Sequence, residues 1–291
     1  METRLKARAK INLALDVIRK RKDGYHDLQM IMQTLELCDT VYIKQINKPR
    51  IKLETSLTWL PTDERNLVYR AVKIMMETYD IKGGFYIYLK KNIPVSAGLA
   101  GGSSDCAAAL IGVRNLCRLS ISDTELADIG KRLGADVPYC LMRGTVLAEG
   151  VGDKLKRLPK HPKVYVLLAK PPISVSTVTV FKRFSMEQVT QKPDIEKMIS
   201  YLHKPAQIEP LAASLCNVLE SVTCKEYPVI THIKENMMKN GALGAIMSGS
   251  GPTVFGYFRT RKEGQRAQAE IMKAFPNITE VYLTAIFNVK D

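Results

Sequence analysis

One segment of the chain concentrates the groups that could bind an anion, and it reads PVSAGLAGGSSDCAAAL over Pro94 to Leu110. Three glycines precede two serines and an aspartate, which predicts a loop that opens into a helix. The first N–H groups of a helix have no internal acceptors and carry partial positive charge, so this segment predicts a phosphate site. An ordinary serine-capped helix would have a similar composition. The loop residues that we expect to contact phosphate are Pro94, Gly98, Leu99, Ala100, Gly101, Gly102, Ser103 and Ser104.

The glycine pattern excludes three common nucleotide-binding loops. A Walker A loop requires Lys after its last glycine, and none follows here. The dinucleotide pattern G-x-G-x-x-G is also not matched in this loop. A second cluster, Gly249 to Gly251, is followed by Pro252, so it is neither that pattern nor the glycine-rich loop of a protein kinase.

Two charged residues outside the loop are candidates for chemistry. Arg4 to Val17 alternates as a strand, with Lys10 and Asn12 side by side on its polar face. Such a face could simply be solvated. Asp136 lies in a turn between apolar segments, where it could be a catalytic carboxylate or a helix cap.

Composition indicates a globular protein with a surplus of basic residues. The 291 residues include 43 Lys and Arg against 29 Asp and Glu, a net charge of +14 that is spread along the chain. Such a surplus permits nucleic-acid or membrane-surface binding and equally suits a polyanionic small substrate or merely a soluble surface. Because there is no long basic tail or patch with interleaved aromatic residues, we expect no nucleic acid partner. Six cysteines without a C-x-x-C pair and four histidines argue against zinc. The scattered cysteines are typical of a reduced environment, so we expect a cytoplasmic protein. No apolar run approaches the ~18 residues that span a bilayer, so we expect no membrane partner. We also expect a monomer or weak homodimer.

The elements that must position these residues can be predicted from periodicity and turn signals. Because strict alternation of strands and helices is absent, we expect α+β domains with mixed or antiparallel sheets. Lys154 to Lys163 is basic, contains two prolines and predicts a linker. Other predictions are strands or extended segments at 41–52, 85–91, 145–148, 164–169, 170–181, 247–258 and 281–289, helices at 66–79, from Ser122 to near Gly134 and at 263–275, and a helical region at 193–239.

Four segments resemble a known family, and they follow one another along the chain in the same order as in that family. They are KARAKINLALDVIRKRKDGYHDLQMIMQTLEL, IPVSAGLAGGSSDCAAAL, GADVPYCLMRGTVLAEGVGD and IMSGSGPTVFG. The glycine–serine loop is similar to that of the galactokinase, homoserine kinase, mevalonate kinase and phosphomevalonate kinase (GHMP) superfamily. The combination of AKINL, DGYH, GADVP and SGSGPT resembles one family within it, the 4-diphosphocytidyl-2-C-methyl-D-erythritol kinases.

This resemblance implies a two-domain GHMP kinase fold with a deep cleft. The ATP-binding domain would comprise residues 1–157 and the substrate-binding domain residues 158–291. The implied reaction transfers the γ-phosphoryl group of ATP, with Mg²⁺, to the 2-hydroxyl of 4-diphosphocytidyl-2-C-methyl-D-erythritol. That step belongs to the non-mevalonate route to isoprenoid precursors.

The resemblance also implies roles for individual residues. Asp136 matches the catalytic base and Lys10 its support, while Asn66 and Lys91 match positions at the nucleotide pocket. Ser103 would be a metal ligand or a cap. The second glycine cluster would brace the phosphate loop. The residues that match the substrate site are Asn12, Tyr25, His26, Thr177 and Phe181, with the rings of Tyr25 and Phe181 on either side of cytosine.

Two departures from the family pattern and two alternatives accompany these expectations. Val178 replaces a proline that several relatives have, and Ala100 replaces a common glycine, which matters if that residue is left-handed. A homoserine or mevalonate type of GHMP kinase would share the loop but should lack DGYH. A basic RNA-binding protein on a degenerate kinase scaffold is the second alternative, although the intact loop, Lys10 and Asp136 argue against it.

Overall fold

The computed structural model describes residues 1–204 and 206–289, which contain both strands and helices in mixed order. The strands are β1 (Glu2–Lys20), β2 (His26–Ile46), β3 (Ile51–Thr55), β4 (Gly84–Lys90), β5 (Thr145–Gly150), β6 (Lys154–Arg157), β7 (Tyr165–Lys170), β8 (Cys216–Asn217), β9 (Ala245–Met247), β10 (Val254–Phe258) and β11 (Glu280–Ala285). The α-helices are α1 (Leu67–Thr78), α2 (Gly101–Leu116), α3 (Asp123–Leu133), α4 (Val137–Met142), α5 (Thr177–Arg183), α6 (Ile195–Leu202), α7 (Ile208–Ala213), α8 (Glu220–Glu226), α9 (Val229–Lys239) and α10 (Arg261–Ala274).

The chain divides into two compact units. The first comprises Met1–Ala9, Leu37–Val95 and Ala100–Met142, and the second comprises Lys10–Glu36, Ser96–Leu99 and Arg143–Asp291. Strands β1 and β2 are 19 and 21 residues long, and both run through the two units. As a result, neither unit is one continuous stretch of sequence.

In the first unit, a mixed sheet supports a layer of helices. Its strand order is β3-β4-β2-β1, with β4 parallel to β3 and antiparallel to β2. Helices α1, α3 and α4 pack around α2. Helix α2 is buried almost throughout because Cys106 to Ala109 present only small side chains to its neighbours. The helix that follows the phosphate loop is therefore held on several sides.

The second unit contains two groups of strands. In one group the order is β6-β5-β2-β1-β8, with β5 antiparallel to β2 and β8 parallel to β1. In the other, β11-β7-β10-β9 forms an antiparallel sheet against which α9 and α10 pack. The expectation of mixed and antiparallel sheets is confirmed.

Two predictions of local structure are wrong. The first four residues of the predicted linker form β6, which pairs with β5 and lies at a sheet edge where basic side chains can stay in water. Thr177 to Phe181, predicted as extended, instead begins helix α5. Its β-branched residues favour a strand, but the Ser176 hydroxyl accepts a hydrogen bond from the N–H of Thr179 at 3.3 Å and caps a helix.

Two further findings concern the cysteines and the search for a membrane-spanning helix. All six cysteines are free thiols, and Cys106 and Cys140 lie in the core. Among the described residues, no helix is both long enough and apolar enough to cross a bilayer.

Candidate active site

The polar face of β1 is buried. Lys10 is 5% exposed and Asn12 is 1% exposed, and the Lys10 Nζ donates a hydrogen bond to the Asn12 Oδ1 at 2.7 Å. The Asn12 amide in turn donates to the Met30 sulfur at 3.5 Å, and the Lys10 backbone N–H donates to the Leu99 carbonyl at 3.0 Å. The interpretation of a solvated face is therefore wrong. Because burying a charge is costly without specific partners, its position here indicates a specific role.

The second glycine cluster packs against the start of the phosphate loop and against this polar face. The Ser248 hydroxyl donates to the Gly98 carbonyl at 3.0 Å. A Cβ on Gly249 would lie 3.5 Å from both the Asn12 Oδ1 and the Gly98 carbonyl oxygen, and 3.6 Å from the Lys10 Nζ. The cluster thus braces the loop, as predicted, and its glycine lets the three groups approach one another.

Asn217 was not anticipated from the sequence, although it holds the second glycine cluster in place. Its amide group donates to the carbonyls of Met247 and Gly249, each at 2.8 Å, and its Oδ1 accepts from the N–H of Leu219 at 3.0 Å. The available signal was a single amide residue inside the apolar run around LCNVL. A buried amide with all its bonds satisfied fixes a turn at low cost.

In the first unit, the phosphate loop ends at the N-terminus of α2. Ala100 is the N-cap and adopts the left-handed conformation, with φ 55° and ψ 31°. The Ser104 N–H donates to the Ala100 carbonyl at 2.9 Å, and the Ser104 hydroxyl donates to the Gly101 carbonyl at 2.8 Å. By helix geometry, the amides of Gly101, Gly102 and Ser103 have no acceptor within the helix. Three amides at a positive helix end can bind a phosphate.

Ser103 and the approach to Asp136 belong to the same unit. Ser103 is half-buried, and its hydroxyl would lie 3.9 Å from a Cβ on Gly134, two residues before Asp136. The Asp136 carbonyl accepts from the Cys140 N–H at 3.0 Å, which places Asp136 at the start of α4. No group of three metal-ligating side chains occurs in the part of the chain that the structure describes. The pairing of Asp136 with Lys10 stays a prediction.

Lys91 lies under the loop between two aspartates. Its Nζ donates to Asp39 and, at 2.7 Å, to the Asp105 Oδ2, and its side chain is only 4% exposed. A Cβ on Gly101 would lie 3.3 Å from this Nζ. Asp39 was not anticipated as a partner. The signal for it was a lone carboxylate inside the β-rich stretch ELCDTVYI.

The charges of these three buried groups are linked. Burial raises the pKa of Asp105 to about 8; the positive Lys91 opposes this effect and the negative Asp39 adds to it. Burial alone would lower the pKa of Lys91, but Asp105 and Asp39 outweigh it and raise that pKa above its ordinary value. One bound proton at Asp105 would make two carboxyl groups and one ammonium electrically neutral, which is the favourable state for a buried cluster.

Asn66 precedes α1 and uses its side chain as a cap. Its Oδ1 accepts from the Val68 N–H at 2.9 Å, and its Nδ2 donates to the Pro61 carbonyl at 2.8 Å. Leu67, the next residue, would lie 3.8 Å from a Cβ on Gly102. The start of α1 therefore adjoins the phosphate loop within the first unit.

In the second unit, the DGYH turn joins β1 to β2. The Arg21 N–H donates to the Tyr25 carbonyl at 2.8 Å, and the Tyr25 N–H donates to the Asp23 Oδ1 at 3.1 Å. Gly24 has φ 85°, which a glycine adopts without strain. The Tyr25 side chain is left 67% exposed.

Phe181 stacks on His26 rather than on Tyr25. The ring centroids of His26 and Phe181 are 5.2 Å apart with 26° between their planes. Burial lowers the pKa of His26, so the ring is neutral at pH 7. The hydroxyls of Thr177 and Ser250 lie 2.7 Å apart, which ties helix α5 to the second glycine cluster.

Comparisons with known proteins agree with this geometry. The family model for the GHMP kinases N terminal domain matches residues 66–144, and the model for the GHMP kinases C terminal matches residues 192–277. A 4-diphosphocytidyl-2-C-methyl-D-erythritol kinase from Lachnoclostridium phytofermentans is 48% identical over 99% of this chain and 98% of its own length. The enzyme of the same name from Lachnospira eligens is 47% identical over 98% of each chain.

Solved structures show the same relationship at the level of the fold. A crystal structure of 4-(cytidine 5'-diphospho)-2C-methyl-D-erythritol kinase has a TM-score of 0.85 and 29% identity, and the match covers 99% of this chain and 100% of that one. Homoserine kinase from Cytophaga hutchinsonii has a TM-score of 0.74 at 20% identity, covering 98% of this chain and 95% of that one, and indicates only a shared fold.

Proposed function

This chain belongs to the 4-diphosphocytidyl-2-C-methyl-D-erythritol kinase family of the GHMP kinases, and from this premise we propose the reaction that it catalyses. It is a small-molecule kinase that transfers the γ-phosphoryl group of ATP to the 2-hydroxyl of 4-diphosphocytidyl-2-C-methyl-D-erythritol. The product serves isoprenoid precursor synthesis. We further propose that it acts in the cytoplasm as a monomer or weak homodimer without nucleic acid partners.

One observation carries the proposal at the level of geometry. The side-chain atoms Lys10 Nζ and Asn12 Oδ1 and the carbonyl oxygen of Gly98 all lie within 3.6 Å of the position that a Cβ on Gly249 would occupy. The residues that we assign to the acceptor alcohol thus meet the first glycine of the phosphate loop. Phosphoryl transfer requires an acceptor alcohol that is held close to the phosphate-binding segment, and this contact within the second unit supports the proposal.

On the nucleotide side, the chain itself supplies backbone amides and one hydroxyl. The amides of Gly101, Gly102 and Ser103 would hold the terminal phosphates at the positive end of α2. Because phosphoryl transfer passes through a loose transition state in most analyses, most of the catalysis comes from positioning and charge stabilisation. We retain residues 1–157 as the ATP-binding domain and residues 158–291 as the substrate-binding domain.

Mg²⁺ is the companion ion that we propose for ATP. In nucleotide sites this ion keeps several waters and phosphate oxygens, so it needs one or two protein ligands. The half-buried Ser103 hydroxyl at the helix end is the oxygen of this chain that would hold it. The bound ion would neutralise charge on the β- and γ-phosphates.

On the alcohol side, Asp136 would accept the proton of the attacking hydroxyl. Lys10 would favour the ionised carboxylate and offset negative charge at the attacking oxygen. The 2.7 Å hydrogen bond between Lys10 and Asn12 supports this role, since it directs the ammonium group along the polar face of β1. Asn12 would then bind the methylerythritol portion of the substrate.

Cytosine recognition is proposed for the aromatic residues beside the DGYH turn. The exposed ring of Tyr25 and the stacked pair of His26 and Phe181 offer flat faces to a base, and Thr177 adds a hydroxyl beside them. Binding energy from this remote group can position the reacting hydroxyl.

A coupled ATP-consumption assay tests the function directly. Purified protein would be offered the cytidylyl substrate, homoserine and mevalonate in parallel. Turnover of the cytidylyl substrate with at least 100-fold lower rates on the other two is expected. Turnover of homoserine or mevalonate alone would replace the proposal with another GHMP activity.

Asp136→Asn tests the assignment of the base. We expect kcat to fall about 10²–10⁴-fold, because general base catalysis contributes that much, while ATP binding measured by calorimetry is retained. Asp128→Asn, which changes another acidic residue of the same unit, serves as the control and should keep normal kcat. A normal kcat for Asp136→Asn would remove this residue from the mechanism.

A further inference from the structure

We propose that Asp39, Lys91 and Asp105 form an ionic clamp that holds the phosphate loop in its binding conformation, and that Lys91 acts on ATP through this loop. The inference rests on the proposed function, since it assigns how that same site binds ATP. It makes Asp39, which no motif marks, a positioning residue for the nucleotide.

The first end of the loop is fixed by Asp39. Its Oδ1 accepts from the backbone N–H groups of Asn92 at 2.5 Å and of Ile93 at 2.8 Å, while its Oδ2 accepts from the Lys91 Nζ. One carboxylate on β2 therefore binds three consecutive residues that lead directly into Pro94. The Asp39 side chain is fully buried, which makes these bonds persistent.

The second end of the loop is fixed by Asp105. This residue lies in the first turn and a half of α2, and its Oδ2 accepts from the same Lys91 Nζ at 2.7 Å. Lys91 thus joins the residues before the loop to the helix after it. Because the two ends of the loop are held together, the loop loses less conformational entropy when it binds a ligand.

The position of the ammonium group favours support of the loop over direct contact with ATP. The Lys91 side chain is 4% exposed, and its Nζ lies 3.3 Å from where a Cβ on Gly101 would be. It therefore lies against the first residue of α2 and already donates to two carboxyl groups. The ammonium group has a third N–H, but its burial means that direct contact with a phosphate would pull it out of a buried ion cluster, which is costly.

The test uses Asp39→Ala, Asp39→Asn and Lys91→Met, with ATP binding measured by calorimetry and loop protection by hydrogen exchange. Asp39→Ala and Lys91→Met should weaken ATP binding at least tenfold and raise exchange across residues 92–104. Asp39→Asn keeps an acceptor for Asn92 and Ile93, so its effect should be several-fold smaller. The KM of the cytidylyl substrate should change less than twofold in all three variants.

Glu280→Gln is the matched control, because it breaks another partly buried pair, Lys170 with Glu280, at 2.6 Å. It should change neither ATP binding nor exchange in the loop. If Lys91→Met loses ATP affinity while both Asp39 variants keep normal binding and normal loop exchange, Lys91 contacts ATP directly and the clamp is rejected. Increased exchange spread evenly over the chain in Asp39→Asn would equally reject it in favour of a general stability effect. ATP binding is measured without the acceptor, so failure of the proposed reaction would leave this test intact.

Discussion

The region that we propose for phosphate (the phosphate region) and the region that we propose for cytosine (the cytosine region) are built in different ways. The phosphate loop consists mainly of backbone, and its two ends join buried charges at Lys91 and Asp105. The cytosine region consists of aromatic side chains around a hairpin turn, with Tyr25 67% exposed and His26 stacked on Phe181. Buried hydrogen bonds hold the first region, whereas the second leaves the Tyr25 ring exposed to solvent.

This difference reflects what each region must do. Phosphoryl transfer depends on charge stabilisation by groups that are already in position, so reorganisation there would raise the barrier. Base recognition supplies binding energy at a distance from the reaction, and aromatic faces tolerate small changes in geometry. Substitutions that force the phosphate loop out of its conformation should therefore lower stability and ATP use together. Substitutions in the cytosine region should change one KM.

The largest effect is expected for Gly98→Ala. A Cβ at this position would lie 2.3 Å from the Ser248 carbonyl oxygen, and the φ of 73° is unfavourable for alanine. We expect unfolding in denaturant to show a loss of about 2–4 kcal/mol, with a parallel loss of kcat/KM for ATP. Gly102→Ala is the control, since its Cβ would meet only Leu67 at 3.8 Å and should cost less than about 1 kcal/mol. Equal stabilities for the two variants would show that the loop is not rigid.

Asp105→Asn tests the buried charges through pH. The folded-state pKa of Asp105 is about 8, above its ordinary value of 3.8, so the folded protein holds an extra proton between these values. The protonation of Asp105 therefore contributes fully to the free energy of unfolding below pH 4. This contribution decreases as the pH rises above 4 and is lost once the pH has passed 8. Asn cannot ionise, so the variant should gain stability relative to the native protein from pH 5 to pH 9, by about 1–3 kcal/mol at the top of that range.

Denaturant unfolding at pH 5, 7 and 9 measures this difference. Asp123→Asn, at an exposed residue whose side chain is 92% accessible, should follow the pH dependence of the native protein. Parallel curves for Asp105→Asn and the native protein would mean that Asp105 is ionised throughout and that the neutral cluster is incorrect.

Phe181→Ala tests the other side of the comparison. Removing the ring that stacks on His26 should raise the KM of the cytidylyl substrate about tenfold, equal to about 1.4 kcal/mol, with the KM of ATP unchanged. Phe184→Ala removes a neighbouring ring that meets His26 only edge-on at 6.5 Å, and a smaller increase is expected. Steady-state kinetics with each substrate varied separately provide both values. A change in the KM of ATP as large as that of the cytidylyl substrate would contradict the division of labour between the regions.

Features that depend on neighbouring residues could be predicted from the sequence, whereas features that depend on distant residues could not. The strand β1, the cap Ser122 and the opening of α2 after the glycines follow local rules, and all are present in the structure. The partners of Lys91 lie 52 and 14 residues away, so only folding brings them together. At the start of α5, a single hydrogen bond from the Thr179 N–H to the Ser176 hydroxyl overrides the strand preference of four β-branched residues.

The smallest effect is expected for Ala100→Gly, at a position where the sequence raised a question that the structure answers. Ala100 is left-handed, with φ 55°, so its Cβ strains the backbone and glycine would relieve that strain. Glycine also gains entropy in the unfolded chain, which offsets part of the benefit. The net result should be about 0.5–1 kcal/mol of added stability with unchanged kcat. Ala108→Gly, inside the same helix, should instead lose about 1 kcal/mol. Two variants with the same chemical change should therefore shift the unfolding midpoint in opposite directions, and a loss of stability in both would show that the loop tolerates alanine at position 100 without strain.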